Sequence, residues 1–156
     1  MEGVRPATAA DLERLAELCR EAIAEKAPAR GGAVFGAREA RPEPVQDSLR
    51  ASLENAAQRV WVGTIDGVAI AYAVAGVEQL RTGDLLGVID DIYVEPEARS
   101  VGVGEALMGA ALEWLTERGC TGVDARALPG DRATKNFFEA SGFSARLLVM
   151  HHRIDR

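Results

Sequence analysis

The sequence has few of the residues that build cross-links, metal sites or membrane segments. Its two cysteines, Cys19 and Cys120, are too few for a disulfide framework or a four-ligand zinc site. The adjacent His151 and His152 have no third ligand beside them, so we expect no metal. No run of 18 apolar residues occurs, which argues against a membrane span. No basic and apolar leader is visible at the N-terminus, so we expect a cytoplasmic protein.

The charge of the chain indicates its kind of partner, and its length indicates the number of domains. The 156 residues include 18 basic and 24 acidic side chains, which gives a net charge of −6. This balance argues against nucleic-acid binding and mildly favours a small cationic partner. Apolar residues make up 47% of the chain, as in ordinary globular proteins. We therefore expect residues 1–156 to form one domain.

Helical patterns dominate the N-terminal third. Thr8 and Asp11 have the spacing of a capping box, and apolar residues then recur at helical intervals, which predicts a helix over 9–26. Glycine, alanine, proline and arginine are frequent over 27–44, which is typical of a mobile loop. A second, shorter helix is predicted over 46–57.

The middle of the chain is predicted to be β-structure. Strands over 60–65 and 68–77 flank the dipeptide Asp66-Gly67, which is a strong hairpin signal. The second strand has no polar face, so we expect it to be covered on both sides. A third strand is predicted over 85–94, ending before Pro96.

The C-terminal half alternates between helix and strand. The pattern predicts a helix over 102–118, a strand over 121–127, a helix over 131–140 and a final strand over 143–154. With a strand at the N-terminus, the order is β-α-α-β-β-β-α-β-α-β. This order indicates an α/β protein with a mixed sheet and flanking helices.

The turn between the third strand and the next helix has the features of an anion site. It carries Arg99, and two glycines, Gly102 and Gly104, open the helix. Backbone N–H groups at a helix start lack intrahelical partners, and glycines allow an anion to approach them. Pyrophosphate is the anion that we expect. The Rossmann fingerprint fails because Leu107 occupies its third glycine position, and the Walker sequence is absent.

Three segments resemble the GNAT superfamily of acyl-CoA-dependent N-acetyltransferases. Residues 99–104, Arg-Ser-Val-Gly-Val-Gly, match the family's Arg/Gln-x-x-Gly-x-Gly/Ala signature. The preceding Ile-Tyr-Val-Glu-Pro at 92–96 is similar to the family's usual strand end, and 131–143 is similar to its later helix segment. The resemblance implies a GNAT-like, mostly antiparallel central sheet flanked by helices. It also implies transfer of an acetyl group from acetyl-CoA to a primary amine of a small molecule or peptide.

The resemblance also implies roles for individual residues in binding the cosubstrate. Backbone groups of the strand end would pair with the pantetheine arm, those of the signature turn would hold the pyrophosphate, and the later helix would flank the thioester. The strand end is Ile92, Tyr93 and Val94. The signature turn is Arg99, Ser100, Val101, Gly102, Val103 and Gly104. The residues of the later helix segment are Asp131, Thr134 and Phe138. Phe138 stands where the family often has a tyrosine that protonates the departing thiolate, so the proton would come from water.

Asp90 and Asp91 are the candidates for the base that accepts the amine's proton. Strand alternation places their side chains on opposite faces unless a bulge intervenes, so we expect one of them to face the cleft. Asp90 is the first choice because the family commonly carries an acidic residue there. For each of the two aspartates, the alternative is a carboxylate that is solvated or caps a helix and has no catalytic role. The oxyanion donor would be a backbone N–H near Val94 or Tyr93.

Two other functional classes stay open. One is a CoA-binding regulatory module with little or no turnover, and the other is a structural or partner-binding domain without a CoA site. The 27–44 segment, with Arg30, Arg38 and Arg41, either closes over the acceptor or only connects two helices. A homodimer is implied by the resemblance alone.

Overall fold

A computed structural model describes residues 1–155, which contain five strands and five α-helices. The strands are β1 (Glu2–Pro6), β2 (Gln58–Ile65), β3 (Val68–Gln79), β4 (Leu85–Val94) and β5 (Cys120–Ala125). The helices are α1 (Leu12–Lys26), α2 (Gly32–Arg38), α3 (Val45–Glu54), α4 (Val103–Glu117) and α5 (Arg132–Ala140). Within residues 1–155, no helix combines the length and the apolar character that a bilayer span requires.

The five strands form one sheet in sequence order, from β1 to β5. The first three pairings are antiparallel, and β4 pairs with β5 in parallel. This arrangement confirms the predicted α/β class with a mixed, mostly antiparallel sheet.

Helices cover both faces of the sheet. One apolar cluster joins α1 and α3 to one face, and a second joins α4 and α5 to the other. The central part of β3, from Ala71 to Ala75, is at most 1% exposed, which confirms a strand covered on both sides. Small residues let α4 approach closely: a Cβ atom at Gly63 would lie 2.7 Å from Val103, and one at Gly87 would lie 2.9 Å from Leu115. Larger residues there would force the helix away from the sheet.

Local signals in the sequence correspond to observed contacts. The capping box is present, with the Thr8 N–H donating to Asp11 Oδ2 at 2.8 Å. The β2–β3 hairpin turns at Asp66 and Gly67, whose φ angles of 49° and 81° fit a two-residue turn. The capping box and the hairpin turn were therefore both predicted correctly from residues that are close together in the sequence.

The loop predicted over 27–44 is partly wrong, because α2 lies inside it. The helix follows Gly31, which has a φ of 81°, and begins at Gly32, where a Cβ atom would lie 2.1 Å from the Lys26 carbonyl oxygen. Glycines that usually indicate a loop here permit a tight connection between α1 and α2.

The final strand predicted over 143–154 is also wrong. Residues 143–155 have no regular secondary structure, and 144–155 are exposed. The apolar pattern of this segment is strand-like, but a strand also requires a partner. None pairs with it in the described chain, residues 1–155.

Candidate active site

The parallel pair β4–β5 separates partway along β4. The last paired residues are Ile89 and Ala125, and β4 continues from Asp90 to Val94 without a partner on that side. The predicted pantetheine-binding residues Ile92 and Tyr93 lie in this stretch. Its free backbone groups offer an edge to which an extended ligand can add like another strand.

The start of α4 lies just beyond this edge. Gly102 precedes the helix with a φ of 88°, a conformation that side chains other than glycine rarely adopt. The first intrahelical bond runs from the Ala106 N–H to the Gly102 carbonyl at 3.0 Å. The N–H groups of Val103, Gly104 and Glu105 therefore precede the hydrogen-bonded part of the helix and are suited to an anion.

The remaining signature residues shape the turn into α4. Ser100 and Val101 are exposed, and the Val101 N–H donates to the Ala98 carbonyl at 3.4 Å. Arg99 donates from Nε to the Val94 carbonyl at 2.9 Å and from Nη2 to Glu25 at 2.6 Å. Arg99 thus ties the turn to α1 and to the end of β4.

Gly104 faces α5 and the end of β4. A Cβ atom there would lie 3.4 Å from Phe137 and 3.5 Å from Val94, which are ordinary van der Waals distances. Packing therefore does not require a glycine at this position, in contrast to Gly63 and Gly87.

Asp131 caps the start of α5. Its carboxylate accepts from the Thr134 N–H at 3.1 Å and from Thr134 Oγ1 at 2.6 Å. Phe138 is 7% exposed, with ring centroids 5.8 Å from Phe137 and 5.5 Å from Phe143. Phe138 also belongs to the apolar cluster around α4, which holds α5 against the core.

A cavity of about 460 Å³ brings many of the predicted residues together. Asp90, Asp91, Ile92, Thr134 and Phe138 all line it, with α1, α2 and α3 on its opposite side. A smaller cavity of about 310 Å³, beside Trp114 and Arg118, has none of the predicted site residues in its lining. We therefore take the larger cavity as the candidate active site.

A β-bulge presents both aspartates to this cavity. Asp91 pairs with Val74 and Ile89 pairs with Ala75, so Asp90 is the extra residue. Asp90 Oδ2 lies 3.4 Å from the place a Cβ atom would occupy at Gly76. Gly76 shares the β3 face that packs on α1 and α3. The expectation that only one aspartate faces the cleft is therefore wrong, because the bulge interrupts the alternation.

The Asp91 carboxylate is held by two partners. Arg41 donates to it from Nε at 3.0 Å and from Nη2 at 2.8 Å, and the Tyr72 hydroxyl donates at 2.7 Å. Arg41 also donates from Nη1 to the hydroxyls of Ser48 and Ser52, each at 3.0 Å. Burial and the adjacent Asp91 charge raise the pKa of Tyr72 well above its usual value. Asp91 is thus engaged in a structural network.

Asp90 differs from its neighbour because no described residue, 1–155, donates a hydrogen bond to its carboxylate. Burial is the largest effect on its pKa and raises it, and the Asp91 charge raises it further. Arg41 and Arg126 act in the opposite direction. An unpaired carboxylate of raised pKa on a cavity wall is suited to accept a proton.

Tyr93, predicted on the cosubstrate edge, directs its side chain toward α1. Its hydroxyl donates to Glu21 Oε1 at 3.2 Å, and burial together with Glu21 raises the pKa of Tyr93 to about 12. The phenol is therefore a weak acid, and its proton is donated to Glu21.

Two parts of this site could not be predicted from the sequence. No pattern in the sequence indicates the contact between Tyr72 and Asp91, and Arg41 lies in the 27–44 segment, whose composition predicts a mobile loop. Arg38 and Arg41 both line the cavity, as does Phe35 of α2. Among residues 1–155, no group of three potential metal ligands is found.

Comparison with known families agrees with this geometry. The model of the acetyltransferase (GNAT) family matches residues 16–143. The chain therefore belongs to the acetyltransferase (GNAT) family. No curated protein sequence gives a significant match.

Solved structures show the same fold at low sequence identity. The chain is 19% identical to a mutant BH1408 protein from Bacillus halodurans, with a TM-score of 0.84 and coverage of 97% of this chain and 99% of that one. It is 21% identical to the aminoglycoside N-acetyltransferase AAC(6')-Iy in complex with CoA, with a TM-score of 0.75 and coverage of 99% and 95%. It is 20% identical to an aminoglycoside acetyltransferase from an uncultured soil metagenomic sample in complex with sisomicin, with a TM-score of 0.71 and coverage of 99% and 96%.

Proposed function

We propose that this protein is an N-acetyltransferase that moves the acetyl group of acetyl-CoA to a primary amine of a small molecule or peptide. The observation that carries the proposal is the position of Asp90. Its unpaired carboxylate lines the cavity. At this point β4 separates from β5, and the backbone edge of β4 becomes free. One proton acceptor and one open strand edge thus share a single site.

The residues present suit acetyl-CoA. The free β4 edge, with Ile92, Tyr93 and Val94, is matched to an extended arm that carries amide groups. The N–H groups at the start of α4 are matched to a pyrophosphate. When bound, the cosubstrate supplies an acyl group as a thioester. Thr134 and Phe138 would lie beside that end, because they line the cavity shared with Asp90.

The proposed proton transfers follow from the side chains of the cavity. An acceptor enters as an ammonium and must lose a proton before its nitrogen can attack the carbonyl carbon. Asp90 accepts that proton, and a backbone N–H near Tyr93 or Val94 stabilises the negative charge on the carbonyl oxygen. After attack the nitrogen must lose a second proton, which passes to water as the C–S bond breaks. Because Phe138 has no acidic proton, the departing thiolate takes a proton from water, which the ordinary thiol pKa of about 8.5 allows.

The charge of the chain and its structural neighbours indicate which acceptors to test first. The net charge of −6 favours a cationic amine. Two structural neighbours are aminoglycoside acetyltransferases, which supports testing aminoglycosides first. Polyamines and peptides with free N-termini complete the panel. Release of free CoA thiol would report turnover with each compound.

The variant Asp90→Asn tests the proposed base. It keeps the shape of the side chain and removes its basicity, so turnover should fall about 10²-fold or more. The CoA dissociation constant should change little, because Asp90 is not part of the proposed pyrophosphate site. Asp84→Asn, in the exposed β3–β4 turn, is the matched control and should keep full activity. Full activity of Asp90→Asn would show that the base is water or another residue.

The absence of a phenol at Phe138 favours one alternative function, a regulatory module that binds CoA without turnover. It predicts stabilisation by CoA but no thiol release with any amine. A domain without a CoA site would show neither. A ligand at 100 times its dissociation constant adds about 2.7 kcal/mol to the free energy of unfolding, which thermal denaturation detects. Cytoplasmic location and a homodimer stay predictions.

A further inference from the structure

The charges that line the candidate active-site cavity differ in balance from those of the whole chain. Seven charged side chains line the cavity, and four of them are basic. The basic side chains are Lys26, Arg38, Arg41 and Arg126, and the acidic ones are Glu39, Asp90 and Asp91. The chain as a whole has a net charge of −6. The cavity is thus slightly positive within an acidic protein, and its own charges are the ones that contact a ligand.

Four of these seven charges are paired with each other. Arg41 Nη2 lies 2.8 Å from Asp91 Oδ1, and Arg38 Nε lies 3.4 Å from Glu39 Oε1. The second carboxylate oxygen of Glu39, Oε2, has no hydrogen-bond donor, but it is buried. A ligand would therefore reach that oxygen only if the Glu39 side chain moved.

Two positive charges and one negative charge of the cavity remain free. The ion pairs within residues 1–155 include neither Lys26 nor Arg126. Asp90 also lacks a side-chain partner among the described residues, and in the proposed reaction it receives the amine. A ligand that is complementary to all three charges carries an anionic group in addition to its amine.

Arg126 lies beside Asp90 because of the parallel register of β4 and β5. Ile89 and Ala125 are the last paired residues of the two strands, and Asp90 and Arg126 each follow directly. Both side chains line the cavity. They are close enough for the Arg126 charge to lower the pKa of Asp90. An amine bound at Asp90 therefore has an unpaired guanidinium group nearby.

An α-amino acid matches this arrangement of charges. Its amine and its carboxylate are attached to one carbon, so the two groups need binding partners that are close together. A guanidinium group is suited to the carboxylate because it can donate two parallel N–H bonds to it. Lys26, at the end of α1, lies on the opposite side of the cavity and adds positive charge there. A polyamine would instead bring a second ammonium group near two free cations, which is unfavourable.

We propose that the acceptor is an α-amino acid, with its amine at Asp90 and its carboxylate on Arg126. This inference rests on the proposed acetyl transfer and specifies its substrate. The amine nitrogen forms a C–N bond as the thioester C–S bond breaks, which gives an N-acetylamino acid and CoA. The nitrogen loses one proton to Asp90 and one to water, and the CoA thiolate takes a proton from water. The acidic remainder of the chain does not oppose binding, because charges beyond about 8 Å are largely screened at physiological ionic strength.

Leucine and leucinamide test the role of the carboxylate, because they differ only in that group. At a pH where Asp90 is ionised, Arg126→Gln should lower kcat/KM for leucine about tenfold, mainly through KM, and change kcat/KM for leucinamide little. Any effect of the variant on Asp90 applies to both substrates and cancels in their ratio. Arg126→Lys keeps the charge and should lose less. Equal losses for the two substrates would overturn the inference.

The matched control is an arginine outside the cavity. Arg50 pairs with Asp47 on α3, and Arg50→Gln should leave kcat/KM for both substrates unchanged. Arg126 is exposed, so its variants should keep the parent melting temperature. They should also keep the parent affinity for CoA. Weaker CoA binding by Arg126→Gln would place Arg126 in the cosubstrate site and overturn the inference.

Binding of the acetylated product tests the carboxylate site without turnover. By calorimetry, N-acetylleucine should bind to the parent protein about tenfold more tightly than to Arg126→Gln, a difference of about 1.4 kcal/mol. N-acetylleucinamide, which has no carboxylate, should bind both proteins equally. Equal affinity of N-acetylleucine for the two proteins would overturn the inference.

The choice of amines separates failure of this inference from failure of the proposed function. Thiol release with spermidine or an aminoglycoside, but not with leucine, phenylalanine or glutamate, would overturn the amino-acid acceptor and leave the acetyl transfer intact. No thiol release with any amine would contradict the proposed function. Weaker binding of N-acetylleucine to Arg126→Gln would support the carboxylate site even then.

Discussion

Arg41 and Asp91 form a two-point ion pair between the segment that follows α2 and the bulge of β4. The two nitrogen–oxygen distances are 3.0 Å and 2.8 Å, and each side chain is 13% exposed. The pair fixes Asp91 and fills one side of the candidate active site. Asp90, the preceding residue, accepts no side-chain hydrogen bond from residues 1–155 and is the proposed base.

Removal of Arg41 should destabilise the protein strongly. Arg41→Ala leaves the Asp91 carboxylate buried with only the Tyr72 hydroxyl as a donor, and the loss of one partner of a buried pair costs about 3–5 kcal/mol. Arg20→Ala is the matched control. Arg20 pairs with Glu43 at the surface, where the side chains are 51% and 63% exposed, so its loss should change the free energy of unfolding far less than the loss of Arg41. Urea unfolding measures both, and equal costs would show that the Arg41 pair has no special role.

The pH profile of the proposed reaction should respond to Arg126. Asp90 must be ionised to accept a proton, so activity falls as the pH decreases through its pKa. Arg126 lowers the pKa of Asp90, which burial raises overall. Removing that positive charge in Arg126→Gln should therefore raise the pKa further and move the acidic limb of kcat/KM to higher pH.

The control for this experiment is a positive charge far from Asp90. Arg50→Gln, on the exposed side of α3, should leave the acidic limb in place. High salt should reduce the shift caused by Arg126→Gln, because Arg126 is exposed and its charge is screened. A limb that does not move would mean that Asp90 does not control the profile.

The sequence predicted features that depend on neighbours along the chain. The hairpin at Asp66 and Gly67, the capping box at Thr8 and the helix that follows Gly102 all depend on residues a few positions apart. The mixed sheet follows from the order of the elements, and the family signature located the α4 turn. These features were accessible because local backbone preferences determine them.

The missed features depend on distant residues. The bulge at Asp90 arises from the register of β4 on β3, which the alternation of β4 alone does not reveal. The Arg41–Asp91 pair joins positions 50 residues apart. The last strand was predicted from a correct apolar pattern, but strand formation needs an edge that the pattern does not identify. The sequence pattern of a segment does not show which distant residues pair with it, so these features could not be predicted.

A matched pair of glycine variants tests the α4 turn. Gly102 has a φ of 88°, so Gly102→Ala forces a side chain into the left-handed region at a cost of about 1–2 kcal/mol. The strain should also reorient the first N–H groups of α4 and weaken CoA binding about tenfold, or 1.4 kcal/mol. Gly109→Ala lies within α4, where an added Cβ meets open space. It should stabilise the helix by about 0.5–1 kcal/mol without affecting CoA. Calorimetry of CoA binding by both variants gives the comparison, and equal affinities would contradict the proposed anion site.

Introducing a phenol at position 138 tests whether this residue lies beside the thioester. Phe138 is 7% exposed and lines the cavity together with Asp90 and Thr134. We expect Phe138→Tyr to supply a proton donor with a pKa of about 10 and to increase the rate of thiol release at an unchanged melting temperature. Phe143→Tyr is the control, because Phe143 packs against Phe138 but is not part of the cavity lining. A buried hydroxyl without a partner costs about 1–3 kcal/mol. Lower stability of Phe138→Tyr without a gain in rate would therefore mean that residue 138 belongs to the core and that the thioester lies elsewhere.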